Sequence, residues 1–415
     1  MSQSQIVYLA DYFGVIGLNN DNVDRLQVQL RIPNVDHSIL PFPPGLELFA
    51  LPSGTLRLSA WRPCHFHAVQ LTQCNAEASS YWASFLTYWT KNKTAEKEFT
   101  PVSLVLISRH QHATNLKNAL MLVYELHLTS DGSMERLIAK ILSQPVPPPS
   151  RPLIRYKLTG KDYQAIQPPI SGSIPVTGKS VANLLVWIGP SNLFNLVLLL
   201  LTDNKVALFG RSYSALAESN KGLLSLIYPF KYAGTNIPVL PHKLSDMLAS
   251  PGLLTLRCFL RITSFQLVPF LLGIHADVWE AHYGENPDVV GCDLDGSKLL
   301  VPEHIKIPSV PESLRKEVIH RLTLASQPGL VTADLAFPPV KQSPSSPIIL
   351  DKEIRAIFLS FFIRTLHNYR RAIQFTRIHP RIQTRLVDDD FIQMQDENTF
   401  KSHLAQSQSF QVSGH

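Results

Sequence analysis

Apolar residues recur in two patterns along the chain: short unbroken or alternating runs, and longer stretches stepped by three and four. The first pattern predicts strands at 6–16 (IVYLADYFGVI), 66–71 (FHAVQL), 81–86 (YWASFL) and 103–108 (SLVLIS). In PFPPGLELFALPSG (41–54), prolines bracket a short apolar run, which reads as a strand entered from a rigid turn. The period changes over 113–142, where Leu116, Leu120, Val123 and Tyr124, then Leu137, Ile138, Ile141 and Leu142, carry helical spacing. Further on, helices at 180–188, 191–201 (Ser191 as N-cap) and 212–226 alternate with short apolar strands at 206–209, 270–274 and 289–294. That alternation predicts a mostly parallel sheet. Residues 311–381 read as all helical. Their longest helix has Asp351 as N-cap and a stripe of Ile354, Ile357, Phe358, Phe361, Thr365 and Tyr369.

The breaks between these patterns divide the chain. SQPVPPPSRP opens a proline-rich linker over 143–178 that cannot continue a helix. It separates a mixed α/β segment, 1–142, from a second α/β segment, 179–310; a helical part, 311–385, follows. The polar tail, 386–415, is expected to be disordered. A length of 415 residues exceeds one compact core, and 45% apolar against 17% charged residues predicts that most of it folds.

Charge and cysteine content narrow the class. The formal charge of +6 is concentrated in 352–381, where seven Lys/Arg face the single acid Glu353. The remainder is balanced, so a field suited to nucleic acid is not indicated. Arg364, Arg370, Arg371 and Arg377 form the basic face of the helix expected there. They suit an anionic membrane or acidic partner, although a solvated or intramolecularly paired face is the default. The four cysteines lie far apart without a CxxC pair, which reads as reduced thiols and no structural metal. The first twenty residues carry no signal-peptide pattern, and the apolar run LFNLVLLLL (193–201) is too short to span a bilayer. A cytosolic protein is the expectation.

Few stretches spell chemistry. GSIPVTGKS (172–180) has one residue too many for a phosphate loop and a proline where an N–H donor is needed. A turn that starts a helix is favoured over a nucleotide site. Cys64, His65 and His67 alternate so that both histidines share a strand face, but no third ligand is in view. Asp293 and Asp295 in DLDG follow an apolar strand and read as a hairpin turn ahead of a magnesium site. Neither GxSxG nor HExxH occurs. The reading is therefore no catalytic residue, no cofactor and no metal.

The central segments nevertheless resemble a known family. VTGKSVANLL (176–185), LFNLVLLLLTDNKVALFGRSYSAL (193–216), LIYPFKYAGTNIPVLP (226–241), PFLLGIH (269–275) and DVVGCDLDG (288–296) resemble the DENN family. LADYFGVIG (9–17), PFPPGLELF (41–49), PVSLVLISR (101–109), ADLAFPP (333–339) and LDKEIRAIFLSFF (350–362) are similar to the DENN portion of the Set-binding factors, which are myotubularin-related pseudophosphatases. The resemblance implies a tripartite α/β module: a longin-like N-terminal lobe, a central α/β lobe and a C-terminal helical part. It also implies a guanine-nucleotide exchange factor for a Rab-family small GTPase in vesicle or endosomal traffic, which holds the empty GTPase in a groove between two lobes. The alternative is a non-catalytic GTPase- or membrane-binding adaptor. Oligomerisation would use regions outside this chain. GTPase-contacting residues are expected at loops around the central sheet, at Lys205, Arg211, Ser212 and Tyr213, and at Tyr228, Lys231 and Tyr232. GLLTLRCFLRITSFQL (252–267) departs from the family pattern and reads as an insertion or as unspliced intron.

Overall fold

The computed structural model describes the chain apart from residues 1–6, 19–25, 38–39, 55–56, 73–79, 92–97, 130–132, 161–162, 246–268, 283–286, 333–345, 368, 370–372, 379–380, 387–398 and 414–415. The stretch 252–267 thus lies outside the described residues.

The N-terminal segment builds an antiparallel five-stranded sheet, in order β2-β1-β5-β4-β3. Its strands are β1 (Tyr12–Leu18), β2 (Leu26–Ile32), β3 (His65–Thr72), β4 (Ser80–Lys91) and β5 (Phe99–Ser108). Alternation divides the sheet into two buried faces. Phe13, Val15, Leu104, Leu106, Leu86 and Tyr88 pack on helices α2 (Ala113–Thr129) and α3 (Met134–Leu142). Their neighbours Tyr12, Ile16, Val105, Ile107, Ala83 and Phe85 join a cluster that runs into the second sheet. Burial on both faces explains why SLVLIS is apolar without a break.

The second sheet has the order β12-β11-β8-β10-β9, with β8 (Lys205–Gly210), β9 (Thr235–Ile237), β10 (Phe270–His275) and β11 (Val289–Asp293) parallel and β12 (Lys298–Leu300) antiparallel. Helices α4 (Ser180–Ile188), α5 (Pro190–Leu201) and α6 (Tyr213–Leu226) bury their apolar faces with Val206 and Leu208. Phe209 faces the other way and stacks on Trp279 of α7 (Ala276–His282), centroids 4.8 Å apart. Gly222 of α6 brings two helix backbones together, since a Cβ there would lie 2.9 Å from the Ser180 carbonyl oxygen.

The remaining helices close the core. α8 (Glu312–Ser326) and α9 (Pro347–Thr365) pack with α4 and α5, and the predicted stripe Ile354, Ile357, Phe358, Phe361 and Thr365 is buried. The two sheets share this core, α6 lying against β3.

Several expectations are corrected. The run after Pro43 forms a short helix, α1 (Leu46–Ala50): Gly45 turns the chain with φ 74°, and Leu46 and Ala50 point inward one helical turn apart. Helix α5 starts at Pro190 after Gly189, not at a Ser191 cap, because proline fits the first helical position. The proline-rich linker holds a hairpin of β6 (Ile154–Lys157) and β7 (Tyr163–Ile166), whose buried residues join the core of the first sheet. The stretch 311–381 is not all helical. α9 stops at Thr365, and β13 (Ile373–Ile378) pairs with β14 (Arg381–Leu386), both of which alternate apolar and polar residues. The tail read as disordered contains α10 (Thr399–Gln406) and α11 (Gln408–Ser413), with Phe400 and Leu404 fully buried.

Among the described residues no single helix is long and apolar enough to cross a membrane. α4 and α5 together reach the length, but they bend by 112° at Gly189, and the apolar run of α5 is buried.

Candidate functional site

In a parallel sheet, loops leaving the carboxyl ends of the strands gather where the strand order reverses. Here that point lies between β8 and its neighbours β11 and β10. Ser212 caps α6, its Oγ accepting from the Ala215 N–H at 3.3 Å. Asp295 Oδ2 accepts the Arg211 backbone N–H at 2.9 Å. Asp293 Oδ1 accepts the N–H groups of Asp295 and Gly296 at 3.0 and 2.9 Å. DLDG is therefore a turn whose carboxylates are engaged by backbone donors.

Tyr213 links this loop to the first sheet. Its ring lies 6.2 and 6.3 Å from those of His65 and His67 on β3, and 5.1 Å from that of His275 at the end of β10. Burial pushes its phenol up to about 12, with a contribution from Asp277, while a hydrogen bond to Ser53 acts in the opposite direction. His65 and His67 stack on one strand face, 5.9 Å apart, as alternation requires. Neither is placed as a metal ligand. His67 Nε2 donates to the Phe49 carbonyl at 2.8 Å, and the described residues contain no group of three or more His, Cys, Asp or Glu able to hold a metal. Burial lowers His67 to about 3, helped by its neighbour His65; burial, then Arg62, lowers His65.

Exposed groups rim this junction. Trp61 keeps 62% of its surface in solvent, with Arg62 beside it. Arg211, Asp277 and Asp295 are also exposed. Trp61, Arg62, His275 and Asp277 were not among the expected site residues. The available signal was the run SAWRP, a tryptophan beside arginine and proline just ahead of a strand; exposed Trp and Arg are the side chains that anchor interfaces.

The expected residues do not form one patch. Arg211, Ser212 and Tyr213 sit at the seam. Lys205 is instead the first residue of β8, in a helix-to-strand connection. Tyr228, Lys231 and Tyr232 follow the far end of α6, a helix of 14 residues and so roughly 20 Å long. There Tyr228 is half-buried and Lys231 exposed. Burial raises the Tyr232 phenol above its ordinary range, with a contribution from Asp203. Phe230 is core, packed on Phe362 at 5.2 Å.

The basic face is not a single helical surface either. Arg364, on α9, pairs with Glu317 on α8 at 2.5 Å. Arg377 belongs to β13, and Arg370 and Arg371 lie outside the described residues.

The loop spelled GSIPVTGKS leads into α4 and carries its own anion. Asp351, 1% exposed, accepts the Val181 N–H at 2.9 Å, bonds the Thr177 hydroxyl and pairs with Arg355 at 3.3 Å. The helix N-terminus that a phosphate would need is capped by this carboxylate.

Residues 99–297, from the start of β5 to the turn after β11, match the DENN (AEX-3) domain. A DENN domain spans residues 99–297. Three curated proteins are similar to it. The "Myotubularin-related protein 5" of Caenorhabditis elegans is 28% identical over 345 residues, 83% of this chain and 18% of that protein. The "DENN domain and WD repeat-containing protein SCD1" of Arabidopsis thaliana is 25% identical over 65% of this chain and 22% of its own length. The "MAP kinase-activating death domain protein" of Drosophila melanogaster is 25% identical over 52% of this chain and 10% of its own. The chain thus spans at most about a fifth of these relatives. Both sheets contribute strands to the DENN match, and the seam around Tyr213 falls within it on the α6 side.

Proposed function

We propose that this chain is a guanine-nucleotide exchange factor for a Rab-family small GTPase, docking the GTPase across the seam between its two sheets. In this reading 1–142, 179–310 and 311–385 are the three parts of a DENN module, and the protein works at the cytoplasmic face of vesicle or endosomal membranes. One observation carries the proposal: exposed Arg62, with Trp61 next to it in the chain, faces Tyr213 where β3 meets the start of α6 and the carboxyl ends of the parallel strands, α6 and those strands, with exposed Arg211, lying in the DENN match.

The mechanism needs no nucleophile or general acid. A surface that prefers the empty GTPase weakens nucleotide binding by the same factor, because coupling between two binding events is reciprocal. Thousandfold faster release corresponds to about 4 kcal/mol of preference. Aromatic and guanidinium anchors on a rigid base are suited to supply it. Tyr213, wedged between β3 and β10, keeps that base from shearing.

Release of a fluorescent GDP analogue across a panel of Rab proteins tests the proposal. The expected result is acceleration for at least one member, reduced about tenfold or more by Arg211→Glu or Trp61→Ala. Tight binding of the nucleotide-free GTPase without acceleration would identify an adaptor instead. No acceleration and no preference for any empty Rab would overturn both readings.

A further inference from the structure

The β6–β7 hairpin has two faces of opposite chemistry. Its inner face is fixed to the first sheet's helices. The Tyr156 hydroxyl donates to Gln164 Oε1 at 3.0 Å. Asn115 Nδ2, on α2, donates to the Tyr156 hydroxyl at 3.2 Å and to the Ala165 carbonyl at 3.0 Å. Lys140 Nζ, on α3, donates to the Leu158 carbonyl at 3.2 Å.

The outer face is cationic and apolar together. Arg155 stands opposite Ala165 and Lys157 opposite Tyr163, so these side chains leave on the same side, and all are exposed. Lys157 Nζ lies 5.2 Å from the Tyr163 ring centroid. At the base of the hairpin, the Ser150 N–H donates to the Pro169 carbonyl at 2.9 Å and its hydroxyl reaches the Ile170 carbonyl, which brings Arg151 and Leu153 to the same end as Ile170. Ile170 is 83% exposed, Tyr163 71% and Leu153 43%. Over 151–170 the sequence holds four cations, Arg151, Arg155, Lys157 and Lys161, against one acid, Asp162.

We propose that this face docks on an anionic lipid bilayer, Arg151, Arg155 and Lys157 meeting headgroups while Tyr163 and Ile170 enter the interface. Charge complementarity selects this occupant: the hairpin's cations outnumber its one acid, Asp162, and the excess attracts an anionic leaflet. The apolar residues select it further. Tyrosine with a lysine stem along its ring suits the headgroup boundary, with the apolar body below and the charge at phosphate level. The hydrogen-bonded mount on α2 and α3 means that the face is presented already ordered. The inference does not depend on exchange activity and replaces the basic helix as the membrane contact.

Co-sedimentation of the 415-residue chain with phosphatidylcholine vesicles, with and without phosphatidylserine, tests it. Binding is expected only with phosphatidylserine. The double variant Arg155→Gln/Lys157→Gln is expected to weaken it about 30-fold, from about fivefold per cation removed. Tyr163→Ser/Ile170→Ser, which keeps every charge, is expected to weaken it about tenfold or more. Lys179→Gln/Lys243→Gln removes the same charge from exposed positions elsewhere and is expected to change it less than threefold, a bound set by screening of distant charges. Absence of binding, equal losses in the two charge variants, or no loss in the serine variant would each overturn the proposal. Binding to polyglutamate but not to vesicles would overturn it in favour of an acidic polypeptide.

Discussion

Protonation of His67 gives the sharpest quantitative test of the packed seam. Its ring is 1% exposed, stacks on Phe85 at 5.1 Å and donates from Nε2 to the Phe49 carbonyl, so it is neutral in the fold. Burial lowers its pKa from 6.5 to about 3. Between those values the unfolded chain binds the proton and the folded chain does not. The stability that His67 contributes is therefore full above 6.5 and is lost as pH falls toward 3. Going from about pH 7.5 to about pH 5.5, the imbalance costs about 1.4 kcal/mol through this residue alone. Urea unfolding midpoints of the wild type and of His67→Gln, whose amide retains a donor for the Phe49 carbonyl, measure it. The wild type should lose about 1.4 kcal/mol more than the variant on acidification, although the variant is less stable at neutral pH because it loses the ring stack. Equal acid sensitivity of the two proteins would refute the reasoning, since His67 would then be protonated in the fold or already neutral in the unfolded chain.

Two further outcomes follow from the core. Asp351→Ala strips the Val181 N–H, the Thr177 hydroxyl and Arg355 of their buried anion and should cost about 3–5 kcal/mol by chemical denaturation, Asp351→Asn costing less because it keeps an acceptor. Gly222→Ala puts a Cβ 2.9 Å from the Ser180 carbonyl oxygen, so α4 and α6 must separate; about 1–3 kcal/mol of destabilisation, read as a lowered thermal midpoint, is expected.

The periodic parts of the chain were legible because their environment is uniform. β5 and β8 are buried on both faces and read as unbroken apolar runs, and the stripe of α9 faces one core throughout. The misreadings have identifiable causes. After Pro44 the left-handed φ of Gly45 redirects the chain into a helix turn, which an apolar run alone cannot reveal. In 373–386 apolar and polar residues alternate, a strand signal inside a stretch whose reading as helical rests on the stripe of α9 upstream. The tail looked polar because its apolar residues are sparse, yet Phe400 packs 5.8 Å from Phe361 and Phe410 6.0 Å from Phe230. Of the expected site residues, three meet at the seam because a strand-to-helix loop carries them. Lys205 at the start of β8 and Tyr228, Lys231 and Tyr232 past the end of α6 do not, since sequence proximity does not say toward which end of a sheet a loop points.

The role of Asp351 bears on function as well as stability. GSIPVTGKS is the stretch closest in spelling to nucleotide chemistry, and a local motif cannot show that an acid 170 residues downstream occupies its helix terminus. A phosphate arriving there would set two anions at one helix end and would have to displace a carboxylate bonded to a backbone N–H, a hydroxyl and a guanidinium. The DLDG turn is committed in the same way, its carboxylates holding the N–H groups of Arg211, Asp295 and Gly296. Both stretches therefore spend their polar groups on geometry: one anchors α9 to the start of α4, and the other fixes the backbone of Arg211 ahead of α6. Under the proposed function this division is what an exchange factor requires. Nucleotide chemistry stays with the GTPase, and the DENN domain acts by offering a surface rigid enough to favour one conformation of its partner over another.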